Sequence, residues 1–398
     1  MKRYARLGDF AKIYSGGTPS RTKKAYWGGK IPWVKTAQIQ NCLIDETDVD
    51  EWITEEGFKQ SSAKMVPRGT ILMAMYGQGK TRGQVAILGL DATINQACAA
   101  IELGKESNRD FVYQQLLFRY NTIRALSNSG SQENLSGGLI REIAFLMPPL
   151  SEQTAIASLL STWDFAIEKT ERIIAAQEKQ FKWLQEQKLF VPARTDKNWK
   201  HLPISYIAKR IQRKSDGDNY PILTISSASG FVLQEEKYSR FMAGKSLDDY
   251  TLLQRGEFAY NKGNSLRYQF GCVFPLHDYE KALVPHVYVC FKFHENIDAN
   301  FIDHVFKADY LKAQLATLVN TGIRNNGLLN ISPANFMKVT VPVPPIDQQK
   351  QIATILTTAR QEIDLLKKQV DAYRRQKRGL MQRLLTGEWR VKTDKEAI

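Results

Sequence analysis

The chain has 398 residues, 43% hydrophobic and 10% aromatic, which is enough to bury more than one core and too apolar for a disordered polypeptide. Its 55 Lys and Arg against 41 Asp and Glu leave a net charge of +14, which favours a polyanionic partner, nucleic acid first, over the plainer reading of a merely basic soluble protein. Asp9 and Lys12 interrupt the start before any apolar run, so no signal peptide is expected; no stretch reaches the roughly 20 apolar residues of a membrane span; and the scattered Cys42, Cys98, Cys272 and Cys290, with no CxxC, read as reduced buried thiols of a cytoplasmic protein.

Residues 1–147 read as a mixed α+β domain. Glycine pairs punctuate it, Thr70–Met75 and Gln84–Leu88 have strand character, and Arg109 to Leu126 predicts a helix with Phe111, Leu116, Leu117 and Ile123 on its apolar side. Lys35, Thr36 and Gln38, and before them Thr18, Ser20, Arg21 and Lys23, are candidates to face DNA, with Trp27 and Trp33 as core. The acidic stretch Asp45–Glu51 reads as a solvated loop. Ala74-Met75-Tyr76-Gly77-Gln78-Gly79-Lys80-Thr81 comes close to a P-loop. However, Ala74 stands where the first Gly belongs, and a strand-like run follows where a phosphate-facing helix is needed. A Gly-rich hairpin carrying Tyr76, Gln78, Lys80 and Arg82 into a DNA groove suits the residues better, because Gln can pair bidentately with adenine and Arg with guanine. Ser131-Gln132-Glu133-Asn134 forms another polar loop, with Gln132 and Asn134 as further candidates.

Pro148-Pro149 ends this domain, and Ser151, Glu152 and Gln153 suit a first helical turn. The segment 148–195 predicts one long helix, free of Gly and Pro from Ile156 to Phe190 and stopped by Pro192. Its seam is Leu160, Trp163, Ile167, Thr170, Ile174, Gln177, Phe181 and Leu184, alternating steps of three and four as in a heptad.

Residues 196–343 read as a second α+β domain. Strands are expected at Tyr220–Ile225, Glu257–Tyr260 and His286–Phe291, and Asn300–Leu318 is the counterpart of the 109–126 helix. Asn261, Lys262, Asn264 and Arg267 occupy the place of the 76–82 loop, and Arg324, Asn325 and Asn326 that of 131–134; both sets offer amides and guanidinium groups to base edges and lysine to phosphate. Cys272, His277, His286, Cys290 and His294 lack the spacing of a zinc site, and strand cores account for them more simply. A second long helix is expected in 344–390, with seam Leu356, Ala359, Ile363, Leu366, Val370, Tyr373, Lys377, Leu380 and Leu384. Gly387 ends it, and 391–398 is a frayed tail.

The two helices begin alike. Pro148-Pro149-Leu150-Ser151-Glu152-Gln153 returns as Pro344-Pro345-Ile346-Asp347-Gln348-Gln349, and Ile156, Ala157, Leu160, Thr162 and Ile167 return as Ile352, Ala353, Leu356, Thr358 and Ile363 at the same offset. A fixed-offset repeat means two structural halves. If a pseudo-two-fold axis relates them, the long helices pack antiparallel; two independent amphipathic helices are the plainer alternative. No catalytic constellation is visible.

Taken with this repeat, Gly16-Gly17-Thr18-Pro19-Ser20, Tyr26-Trp27-Gly28-Gly29-Lys30-Ile31-Pro32-Trp33-Val34, Met75–Gly83 and Asn95-Gln96-Ala97-Cys98 make the chain resemble the DNA-specificity subunit of Type I restriction–modification enzymes, over essentially its whole length. The second domain lacks the Gly-Gly-Thr-Pro opening, as suits a domain reading another sequence. The resemblance implies two target-recognition domains that each read half of a split, asymmetric duplex site, held apart by the long helices. It implies docking of two methyltransferase subunits, which bind S-adenosylmethionine and methylate adenine at N6, and optionally of two motor-nuclease subunits. It also implies no catalysis and no cofactor in this chain. A helix of about 36 residues spans about 54 Å, against about 34–36 Å for one DNA turn, so such helices can serve as a ruler. An orphan bipartite DNA-binding protein, and an NTPase using Lys80 and Thr81, stay open as alternatives.

Overall fold

The computed structural model describes residues 4–77, 79–126, 134–237, 247–263, 265–319 and 329–392. Contacts divide the chain into two compact units, Met1–Glu171 with Lys368–Ile398, and Arg172–Lys367. The divisions fall inside the long helices Leu150–Gln185 and Ile346–Leu385, so each unit holds part of both.

In the first unit a five-stranded sheet runs in the order Ala11–Ser15, Cys98–Leu103, Ile71–Ala74, Val85–Leu88, Cys42–Ile44. Its centre, Ile71-Leu72-Met73-Ala74, is apolar at every position because both faces are covered. Ile71 and Met73 face Phe111, Val112 and Leu116, while Leu72 and Ala74 face Val34, Ile39 and Ile44, the alternation that a strand imposes. The helix expected over 109–126 is two helices, Arg109–Phe118 and Tyr120–Ala125, parted at Arg119 where ψ opens to 8°. Asn108 caps the first, its side chain accepting from Phe111 N–H at 2.9 Å.

In the second unit the order is Ala208–Ile211, Val289–Phe293, Phe258–Asn261, Cys272–Pro275, the same order as the first four strands above, with the first strand of each in sequence paired to the last. Phe258, Phe291, Phe293 and Phe306 form an aromatic cluster under this sheet, and Tyr260 stacks on Phe336 at 4.1 Å. Cys272 and Cys290 lie buried on its other face, and burial pushes their thiols up to about 11 and about 12. The single helix expected over 300–318 is again divided, into Ala299–Lys307 and Lys312–Leu318. Asp309 turns left-handed (φ 57°), with Tyr310 N–H on Val305 C=O and Asp309 N–H on Phe306 C=O. This is a Schellman ending in which Asp takes the place usual for Gly, so no Gly or Pro marked it in advance.

Pro192 does not stop the first long helix. A π-turn, Glu186–Phe190, follows Gln185, and the helical course resumes as Val191–Thr195 with Pro192 in its first turn. The wider turn relaxes the ladder where a proline ring would otherwise clash and where its missing N–H leaves no bond to lose. The second helix ends as expected at Gly387 (φ 69°). Beyond it, however, Val391 N–H donates to Glu152 and Arg390 forks onto the same carboxylate, so the segment before 393 is anchored.

Within each unit the helices run antiparallel. In the first, Glu152 meets Arg390, Asp164 meets Lys377 at 2.6 Å, Glu171 meets Arg374, and the Trp163 and Tyr373 rings cross edge-on at 5.7 Å. In the second, Glu178 meets Lys367 at 2.6 Å, and Arg360 lies over the Phe181 ring at 4.2 Å. Leu160, Phe181, Leu356, Ile363 and Val370 are buried, and Trp163, Ile167, Ile174, Leu184, Leu366, Tyr373 and Leu380 are half-buried. On the outward faces Leu159, Phe165, Ile173, Trp183, Ile355 and Leu365 stay exposed. No helix among the described residues is long and apolar enough to cross a membrane.

Candidate nucleic-acid interface

Ile71–Ala74 and Val85–Leu88 pair antiparallel, Met73 opposite Val85, so residues 75–84 close a hairpin. Gly77, Gly79 and Gly83 all have positive φ, and a Cβ on Gly77 would stand 2.8 Å from Thr81 Cβ. Tyr76 and Lys80 are exposed on this turn. Tyr120 Oη donates to the Lys80 carbonyl and receives Arg124 Nη1 at 2.8 Å, which ties the turn to the helix Tyr120–Ala125. Leu135 N–H donates to Met75 C=O at 3.0 Å, bringing the half-buried Asn134 beside Tyr76. The start of the 76–82 turn and residue 134 therefore meet; residues 131–133 lie outside the described residues. Gln78 and Gln132 lie outside the described residues. Arg82 is only 7% exposed, and its guanidinium is not presented to a groove as expected. A strand, not a helix, follows Lys80-Thr81, which removes the P-loop geometry on which nucleotide binding would depend.

The second unit repeats this arrangement. Phe258–Asn261 and Cys272–Pro275 form the matching hairpin, and Leu329 N–H donates to Lys262 C=O at 3.1 Å, as Leu135 does to Met75. Asn261 Oδ1 accepts from Gly263 N–H at 2.9 Å, and Arg267 is exposed with its guanidinium over the Tyr268 ring. Asn264, Arg324, Asn325 and Asn326 lie outside the described residues.

The 18–38 candidates divide. Ser20 and Lys23 are exposed, with Lys23 Nζ on Tyr26 Oη at 2.9 Å. Thr18 bonds Gln96, and Thr36 is half-buried. Lys35 is engaged internally, its Nζ bonding Asp50 at 3.0 Å and Glu51 at 2.5 Å, while Gln38 Nε2 donates to Asp50 at 2.6 Å. Arg21 bonds the same Glu51 and lies 3.8 Å from the Trp27 ring centroid. The bond from Lys35 holds the Asp50 carboxyl, and that from Arg21 the Glu51 carboxyl, below the usual range. Asp45 to Asp48 and Asp50 are exposed, as a solvated loop would be, but Asp50 and Glu51 also offset the charges of Lys35 and Arg21, and Asp50 accepts from Gln38, so Lys35, Arg21 and Gln38 already have partners within the unit.

Residue-by-residue reading missed one pair. Gln153 Oε1 accepts from Asn108 N–H at 2.9 Å while its Nε2 donates to Pro148 C=O at 2.9 Å. Gln349 does the same between Asp298 N–H and Pro344 C=O, both at 2.8 Å. Asn108 and Asp298 are the N-caps of Arg109–Phe118 and Ala299–Lys307. Each glutamine thus locks a domain helix onto the start of a long helix. The signal was present as the last residue of both Pro-Pro segments.

A family model described as the Type I restriction modification DNA specificity domain matches residues 2–178 and 205–372. The specificity subunit of the Type I restriction enzyme EcoR124I/EcoR124II of Escherichia coli is 27% identical over 190 residues, 45% of this chain and 46% of that protein, so the chain spans just under half the length of this relative. The MjaVIII specificity subunit of Methanocaldococcus jannaschii is 21% identical over 97% of this chain and 92% of its own length. The crystal structure of the Type I restriction–modification S subunit from M. genitalium has the same fold, with a TM-score of 0.61 at 14% identity over 97% of this chain and 96% of that one.

Proposed function

Because the chain belongs to the Type I restriction modification DNA specificity family, we propose that it is the non-catalytic DNA-recognition subunit of a cytoplasmic Type I restriction–modification complex. Each unit reads one half of a bipartite, asymmetric duplex site. The observation that carries this reading is the recurrence of one hairpin-and-loop pair in both halves with different side chains on it, Tyr76, Lys80 and Asn134 in the first and Asn261, Lys262 and Arg267 in the second. One scaffold bearing two unlike sets of amides, cations and hydroxyls is what two unlike half-sites require.

Thr18, Ser20, Lys23, Thr36, Gln78 and Gln132 in the first half, and Asn264, Arg324, Asn325 and Asn326 in the second, complete the proposed contact set. Lys35, Gln38 and Arg82 are left out because of the internal partners of the first two and the burial of the third. The buried seams hold the helix pair together and set the unread spacer. The exposed Leu159, Phe165, Ile173, Trp183, Ile355 and Leu365 offer apolar footing to two methyltransferase subunits. Those subunits carry S-adenosylmethionine and methylate adenine at N6, and two motor-nuclease subunits join for restriction.

Genome-wide mapping of N6-methyladenine with the gene intact and deleted, beside its methyltransferase partner, tests this. Loss of one bipartite methylated motif is expected. An unchanged methylome with the partner expressed would overturn the reading and leave a DNA-binding protein without an enzyme partner.

A further inference from the structure

The two central sheets pair their edge strands in one register but with different charges. In the first unit Lys12 stands directly opposite Glu102, Nζ to Oε2 3.8 Å. Ala11 faces Leu103 one step before this pair, and in the second unit Ala208 faces Phe293 one step before Lys209 opposite Lys292. A lysine–glutamate pair in one half is therefore a lysine–lysine pair in the other. Like charges directly opposite on a sheet face repel. Both lysines are exposed, and among the described residues no carboxylate lies within ion-pair distance of Lys209, Lys292 or the adjacent exposed Arg210. Among the described residues that line the cleft, the acid is Glu257, which is 2% exposed and already bonded by Arg213 Nη2 at 2.7 Å and by Gln254 N–H at 2.8 Å. These residues, with His294, line an open cleft of about 430 Å³. Arg213 Nε is buried there without a hydrogen-bond partner.

We propose that this cationic cleft holds backbone phosphates of duplex DNA beside the bases read by the second unit, a sequence-independent anchor that the first unit lacks. The inference rests on the reading of the chain as a DNA-recognition subunit. Lys292 neighbours Glu257, four residues along the strand from Asn261 at the hairpin, or roughly 14 Å at about 3.4 Å per residue. A major groove is about 8.5 Å deep, so with Asn261 at the groove floor the lysines would stand about a side chain's length behind the rim, where the phosphates are.

Lys292→Glu tests it, since it recreates the pair that the first unit already folds with. The full chain is titrated with fluorescein-labelled duplex of random sequence between about 50 and 200 mM salt. The thermal midpoint is expected to hold or rise. Affinity is expected to fall about tenfold, and the slope of log affinity against log salt to become shallower by about one. Lys209→Ala with Lys292→Ala should show the same direction without an added charge. Unchanged affinity and slope in folded variants, beside a wild-type chain that binds duplex, overturns the anchor and leaves the DNA-recognition reading standing. A wild-type chain that fails to bind duplex overturns both. Saturable calorimetric binding of inorganic phosphate, lost in Lys292→Glu while duplex affinity is unchanged, assigns the cleft to a small phosphate ester and overturns the backbone assignment.

Discussion

Gln349→Ala removes the side chain that joins the domain helix Ala299–Lys307 to the start of the second long helix. Gln349 is 1% exposed, and the Pro344 carbonyl it serves is buried, so water cannot replace the lost amide there. The Asp298 N–H it receives is partly buried. Each bond contributes about 1 kcal/mol net, and a buried group left unsatisfied costs about 1–3 kcal/mol, so the second unit should lose roughly 2–4 kcal/mol. Gln153→Ala should cost the first unit less, because Pro148 is only half-buried. Urea unfolding followed by peptide-resolved hydrogen exchange separates the two, with lost protection expected at Ala299–Lys307 for one variant and Arg109–Phe118 for the other. A Gln349→Ala chain whose stability falls by less than about 0.5 kcal/mol, with the 299–307 helix still protected, would refute the lock.

Three further outcomes are expected. His304 is buried, bonds Thr357 at 2.9 Å, and is pushed down to about 4 by that burial. Between its ordinary 6.5 and about 4 the unfolded chain binds the proton and the folded chain does not, so stability rises with pH through this window; urea midpoints should show a loss of about 2 kcal/mol at pH 5 relative to neutrality, absent in His304→Gln. Arg390→Ala leaves the Glu152 carboxylate buried with only Val391 N–H, and thermal unfolding should report roughly 1–3 kcal/mol lost from the first unit, discounted for the half-exposed arginine. Gly77→Val strains a left-handed position and meets Thr81, so the first hairpin should lose about 1–3 kcal/mol locally; a methylome altered in the half-site read by the first unit, with the other half-site intact, is the readout.

How legible each feature was follows from the range of the interaction behind it. The seams were readable because a 3.5-residue period is local: Leu160, Ile363 and Val370 announce a buried face wherever the partner comes from. The hairpins were readable because Gly77, Gly79 and Gly83 punctuate two apolar runs. The break at Asp309 was not, since a Schellman ending with Asp carries no distinctive residue. The fates of Lys35 and Arg21 depended on Asp50 and Glu51, an acidic run that in sequence alone looks like any solvated loop. Arg82 occupies a turn where burial is decided by what packs against it, not by its neighbours in the chain.

The sequence by itself determined that the molecule has two related halves, each an α+β domain followed by a long amphipathic helix, because repeat, period and proline punctuation are properties of the string. Only the tertiary structure decided which cations remain available. Lys12 and Lys209 look alike in sequence, but strand pairing sets Glu102 opposite one and Lys292 opposite the other. Neutralisation acts over a few ångströms between residues that lie about ninety positions apart in the chain, and it takes the fold to say which residues those are.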